Sequence, residues 1–222
     1  MKKVLMILVS LLMLFAACSS FAENEGEPLP EEELLTWSEP GAKYIANLLA
    51  PIREIHNEAE AKAYAEELCP LMNIGTLPEG TWDIGIDHHD ESYHCSILNE
   101  NSVELYGASF LSNGVIQLIS YPDPDTRWFT EGIRKEGSEL EAGRKEQAEN
   151  QIIAWVEKNM PGVLELVEPL SVYSMIDVGD KQYLFVTALP LDPELDGSVN
   201  IIAILYEDGH CGITDYSCYG AG

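Results

Sequence analysis

The sequence predicts an α+β chain of two tandem units, each a helix followed by a four-stranded antiparallel sheet, and three observations predict it. Residues 86–93 match 176–183 at Ile, Asp, Asp and Tyr without a gap, and 103–121 lies on 199–216 with one deletion. That alignment sets Gly114 on Gly209, Leu118 on Ile213 and Tyr121 on Tyr216. Tyr64, Ala65, Leu68 and Met72 repeat the spacing of Ile152, Ile153, Val156 and Met160, which is the spacing of one helix face. Short alternating runs separated by turn residues follow each helix, as antiparallel strands do. Such self-similarity is the signature of a duplicated structural unit.

The chain opens with Lys2 and Lys3 before an apolar run over 4–17, so 1–22 reads as a secretory leader. The run is shorter than the ~20 residues that span a bilayer. Two processing outcomes fit. Ser20-Phe21-Ala22 offers small residues at the two positions a signal peptidase reads; Phe15-Ala16-Ala17-Cys18 resembles a bacterial lipobox that would lipidate Cys18, with Phe15 in place of the usual aliphatic residue. The expected location is secreted or cell-surface, lipid-anchored in the second case. Residues 23–56 read as an acidic spacer and an N-terminal helical segment that includes Tyr44, Ile45 and Leu48.

The first unit covers 57–121. Asn57 and Glu60 stand at capping spacing, and Pro70 stops the helix. Strands are expected at 82–87, 92–98, 102–111 and 115–121, with Asn113-Gly114 as a tight hairpin turn. Residues 122–137 are expected to be a linker. In the second unit, 138–222, Ser138 and Glu141 have capping spacing and Pro161-Gly162 stops the helix. Its strands are expected at 170–176, 182–189, 198–206 and 210–216, with Asp208-Gly209 as the tight turn.

Charge narrows the partners. The chain carries 38 acidic and 12 basic residues, a net charge of −26. Such a surface repels nucleic acid phosphates and anionic lipid headgroups, which leaves membrane contact to a lipid anchor alone. Basic proteins and peptides, and metal ions, remain as partners. Besides Cys18 there are four cysteines, Cys69, Cys95, Cys211 and Cys218, which allow three disulfide pairings. Cys69 with Cys95, joining a helix end to a strand, is the most natural pair; four reduced thiols are the other reading.

Two clusters are candidate sites. Arg127, Trp128 and Phe129 in the linker are of the types that anchor protein partners when exposed, and that plug an interface between units when buried. His88, His89 and His94, with Asp87 and Asp90, form the densest group of metal-capable side chains. Neighbouring residues on a strand point to opposite faces, which sets His88 and His89 against joint ligation unless the turn bends them together. Asp192, Glu194, Asp196 and Gly197 open like a calcium loop, but Ala203 stands where the closing Glu belongs, so this reads as an acidic solvated loop. No nucleophile elbow, H-E-x-x-H, S-x-x-K or phosphate-binding glycine loop occurs, and no cofactor is implied. The expectation is a non-enzymatic module that binds a protein or peptide. The alternative is a metal-binding protein or metal-dependent hydrolase built on His88, His89 and His94.

Met160-Pro161-Gly162 at a helix end, an apolar strand around 163–167, Asp180 leading to Tyr183 and Phe185-Val186, and Tyr206-Glu207-Asp208-Gly209 resemble the PepSY-like family of secreted and envelope-associated bacterial proteins. The resemblance covers about 141–216, and the inserted residues 191–197 depart from it. It implies a domain without catalytic residues that binds or restrains peptidases. The tandem arrangement also resembles the architecture of the bacterial β-lactamase inhibitory proteins, without a shared residue motif, which implies an inhibitory or regulatory role towards an envelope or secreted enzyme.

Overall fold

Residues that alternate in character along this chain alternate in burial, and that sorts the strands into two faces. The computed structural model describes residues 43–49, 51, 53–72, 76–88, 91–123, 125 and 127–218; Cys18, His89 and the expected leader and acidic spacer lie outside them. In chain order the elements are β1 (Lys43–Tyr44), α1 (Ile45–Leu48), α2 (Glu58–Leu68), β2 (Thr81–Asp87), β3 (Ser92–Leu98), β4 (Glu104–Leu111) and β5 (Ile116–Ser120). They continue as α3 (Arg127–Thr130), β6 (Ile133–Glu136), α4 (Ala142–Asn159), β7 (Ser171–Asp177), β8 (Lys181–Ala188), β9 (Leu195–Asp196), β10 (Val199–Tyr206) and β11 (Cys211–Ser217). The class is α+β, with one nine-stranded sheet in the order β2-β3-β4-β5-β11-β10-β8-β7-β6. Every pairing within it is antiparallel.

The two expected four-stranded sheets are parts of one sheet: β5 and β11 pair with each other, Leu118 opposite Ser217, Ile119 opposite Tyr216 and Ser120 opposite Asp215. Each strand closes its own meander, and pairing the two satisfies backbone groups that would otherwise line open edges. The expected linker 122–137 is structured, because Arg134 and Lys135 tie β6 to β7. Arg134 Nε donates to Ser174 Oγ at 3.3 Å and Lys135 Nζ to Asp177 Oδ2 at 2.9 Å, making β6 a fifth strand beyond β7. The insertion 191–197 holds β9, which pairs in parallel with β1. Leu118 and Ile213, aligned in sequence, face opposite ways, because the register shifts between Ser109 and Phe110 in one meander and between Ile202 and Ala203 in the other.

Both helices cover the same face. Tyr64, Ala65 and Leu68 of α2, and Met72 beyond it, are buried with Ile152, Val156 and Met160 of α4 and its end; Ile153 is only partly buried. Tyr64 donates its hydroxyl to Gly114 O at 2.8 Å, Tyr106 donates to Ala65 O at 2.6 Å, and Trp155 Nε1 in α4 reaches Leu71 O at 2.9 Å. Cys69, Cys95, Cys211 and Cys218 are buried thiols outside any disulfide, so the expected Cys69–Cys95 bridge is absent from the structure; they fill core space as small apolar side chains. Burial pushes the Cys95 thiol up to about 11.

The turn chemistry is local. Gly114 and Gly209 take φ of +80° and +86°, the left-handed conformation that ends a three-residue hairpin loop, closed by Leu111 N to Val115 O and by Tyr206 N to His210 O. Pro161-Gly162 ends α4 with Gly162 at φ +91°, and a 3₁₀ turn, Val163–Glu165, replaces the strand expected around 163–167. Ser138 does not cap α4. A reciprocal box between Glu136 and Glu139 caps the 3₁₀ turn Gly137–Glu139 instead, and α4 starts after Glu141. At α2 the expected cap is present: Asn57 Oδ1 accepts from Glu60 N at 3.0 Å, and Glu60 Oε2 accepts from His56 N at 3.0 Å. Replacing Asn57 with Ala will lower stability by about 1 kcal/mol in urea denaturation, and Asn57→Ser will retain most of it.

Candidate functional site

With α2 and α4 on one side, the other side of the β2–β5 half of the sheet is left mostly to small polar side chains, while Tyr183, Phe185 and Ile202 stand on that side in the other half. His94 pairs with Gly85 and Ser109 across the ladder, Ser96 with Asp83 and Gly107, and Ser120 with Gly107 and Asp215. Their hydrogen bonds run within this face: His94 Nδ1 lies 2.8 Å from Ser109 Oγ, and Ser96 Oγ donates to Glu104 Oε2 at 2.6 Å. β2, β3, β4, β5 and β11 contain no lysine or arginine, while Asp83, Asp87, Glu104 and Asp215 lie on their strands.

The segment 121–130 crosses the second half of this face and is pinned by ions. Tyr121 N continues the ladder to Thr214 O at 2.9 Å. Lys181 Nζ then reaches Asp123 Oδ2 at 2.6 Å and Asp125 Oδ2 at 2.9 Å, and Tyr183 donates its hydroxyl to Asp123 Oδ2 at 2.7 Å. Arg127 bridges Asp125, at 2.6 Å, to Asp180, at 3.1 Å. The side chains of Lys181 and Asp123 are only 12% and 13% exposed, so this pair is largely withdrawn from water. Burial opposes the Asp123 charge, but hydrogen bonds from Lys181 and Tyr183 hold its carboxyl below the usual range. Hydrogen bonds from Arg127 and Lys181 hold Asp125 far below it. Burial works against the Lys181 ammonium too, and bonds to Asp123, Tyr183 and Asp125 keep its pKa raised.

This clamp sets the aromatic anchors. Trp128 stacks on Tyr183 with ring centroids 5.6 Å apart and lies 3.7 Å from Phe129. Trp128 is half-buried; Phe129 is 72% exposed, so it does not serve as an interface plug. Gly132 lets the chain turn away, since a Cβ there would meet Trp128 O and Ile176 Cγ2 at 2.4 Å. A recess of about 240 Å³ opens beside Trp128, lined by Ser120, Tyr121, Tyr183, Phe185, Ile202 and Asp215 among others. Burial pushes the Asp215 carboxyl up to about 6; a hydrogen bond with Ser120 opposes that rise and the Glu104 charge adds to it.

Of the candidate histidines, the two described ones, His88 and His94, do not gather. His94 sits opposite Gly85, three residues before His88 along β2, about 10 Å of extended strand away, and its ring nitrogens face the hydroxyls of Ser92 and Ser109. His88 is exposed and borders a separate cleft with His56, Asp87 and Glu91. Among the described residues no group of three or more His, Cys, Asp or Glu side chains is placed to hold a metal ion, and no helix is long and apolar enough to cross a membrane. Asp192 Oδ1 accepts from Glu194 N at 2.9 Å, as a solvated acidic turn does. Asp215 is not among the residues the sequence singled out; its signal was an acid between Thr214 and Tyr216 in a strand with no other charged residue. No protein-family model, curated protein or solved structure matches the chain.

Two stability outcomes follow from these charges. Lys181→Met leaves Asp123 and Asp125 without their shared cation and will destabilise the fold by about 3 kcal/mol in urea denaturation. Asp215 has the opposite sign to an ion-paired acid: its folded pKa lies above the ordinary 3.8, so the fold favours the protonated form. Its stabilising contribution is full below pH 4 and is lost as pH rises through 6. Asp215→Asn will therefore be more stable than the parent at pH 7.5, by up to about 3 kcal/mol, and the difference will shrink towards pH 4.

Proposed function

We propose that this chain is an exported, non-enzymatic module that binds a protein or peptide on the helix-free face of its sheet, in a regulatory or inhibitory role towards an envelope or secreted enzyme. The observation that carries it is the one-sided packing: α2 and α4 share a single core, the β2–β5 half of the opposite face presents small polar side chains, and the exposed Phe129 stands over its other half. Exposed aromatic residues next to Arg127 suit a partner's apolar contacts. The acids of β2, β4 and β11, on strands without a basic residue, favour a basic partner.

Kinship with the PepSY-like proteins and an ancestral duplication belong to the same reading. In support, two four-stranded meanders, each preceded by a helix, meet through their last strands, and Gly114 and Gly209 occupy like turns. Export rests on the leader at 1–22, with Cys18 as the anchor if it is lipidated.

A panel of basic and acidic 15-residue peptides tests the reading, with binding measured by fluorescence anisotropy. Basic peptides will bind preferentially, and Phe129→Ala and Ser109→Arg will each weaken them by about tenfold while the circular dichroism is unchanged. Binding that ignores both substitutions but falls with Glu146→Arg on α4 would move the site to the helical face and defeat the proposal.

A further inference from the structure

The recess at the β5–β11 seam separates two carboxylates with different obligations. Asp123 on one side is already met by the Lys181 ammonium and the Tyr183 hydroxyl. Asp215 on the other side has the Ser120 hydroxyl as its hydrogen-bond partner, and among the described residues no lysine or arginine pairs with it. Glu104 of β4 is near enough to add its negative charge. The remaining walls include Trp128, Phe185 and Ile202, with Tyr121, Tyr183 and Thr214.

Such a lining discriminates between ligands. Aromatic faces attract a cation that has left water, and a carboxylate in the same lining supplies its counter-charge. An anion would meet Asp215 and be repelled, with the Glu104 charge adding to that repulsion, while an uncharged chain would leave the carboxyl unanswered. At about 240 Å³ the recess holds about eight water volumes, enough for one side chain and below the ~300 Å³ at which pockets for drug-sized ligands begin.

We propose that this recess receives one protonated basic side chain, lysine or arginine, from the peptide partner, with the ammonium or guanidinium on Asp215 and the methylene stem against Trp128 and Phe185. This rests on the binding reading above and names the chemistry that it selects. The partner thus carries an exposed basic residue, and the apolar stem gives the contact a preference for long basic side chains over short ones.

The test uses the full chain with its aspartate carboxyl carbons isotopically labelled, so that Asp215 is followed by NMR. N-acetyl-lysine methylamide is the probe, its arginine counterpart a second probe, and N-acetyl-norleucine methylamide the uncharged control. The expected result is a saturable shift at Asp215 with the charged probes, with a lower apparent pKa in their presence and none of this with the control. Asp215→Asn, followed through the indole resonance of Trp128, will weaken the charged probes by about tenfold or more. Asp215 titrating identically with and without the probes, or equal shifts from the control, would overturn the assignment. In that event peptide binding that still depends on Phe129 and Ser109 would leave the face itself standing. Probes that bind while a lysine-containing peptide does not would overturn the assignment to a peptide partner.

Discussion

Three residue pairs between β5 and β11 hold the two meanders in one sheet, and the rest of the architecture depends on them. Their alternation decides what lies on each side. Ile119 and Tyr216 turn into the core, where Trp155 of α4 meets Tyr216 at 5.7 Å and its indole N–H also reaches the end of the first helical stretch. Ser120 and Asp215 turn the other way and become part of the recess. A shift by one residue at this seam would exchange the two sets, putting a carboxylate in the core and a tyrosine in solvent.

The ionic clamp solves a different problem. A connecting segment that crosses a sheet face exposes backbone groups, and here the Asp side chains satisfy them while also fixing the path. Asp123 Oδ1 accepts from Asp125 N, and Asp125 Oδ1 accepts from Arg127 N. The same carboxylates hold Lys181, so one short stretch caps its own turns and is anchored to β8. Tyr183 is 3% exposed beneath this cover although it lies away from the helices. Charge that is withdrawn from water carries a desolvation penalty, so the clamp depends on every partner being present.

Much of this could be read from the chain because the physics is local. The alternation over 92–98 predicted β3 to the residue, and Asn57 with Glu60 gave the true start of α2. The other main strands lie within two residues of expectation. What failed was non-local or weakly patterned. The four residues of β6 are too few and too charged to show a strand period, and they pair only because β7 offers an edge. Likewise β9 exists through its pairing with β1, about 150 residues earlier in the chain. The shifted bulges hid the fact that Leu118 and Ile213 face apart. At the site, Trp128 and Phe129 were legible as residue types, but their exposure is set by Lys181 and Asp180, more than fifty positions away. Asp215 was illegible because its neighbours Ser120 and Glu104 come from other strands.

The outermost strands have a consequence for how copies of this chain meet. Asp83 and Asp87 lie along β2, and β6 is a four-residue strand bearing Arg134, Lys135 and Glu136. Open hydrogen-bonding margins recruit further chains unless charge or brevity discourages them, and both devices are present here. Growth of the sheet into a continuous ribbon from chain to chain is thereby suppressed at either border. Copies of this chain are thereby insulated from one another, since a broad pleated layer is otherwise a template for fibril-like stacking.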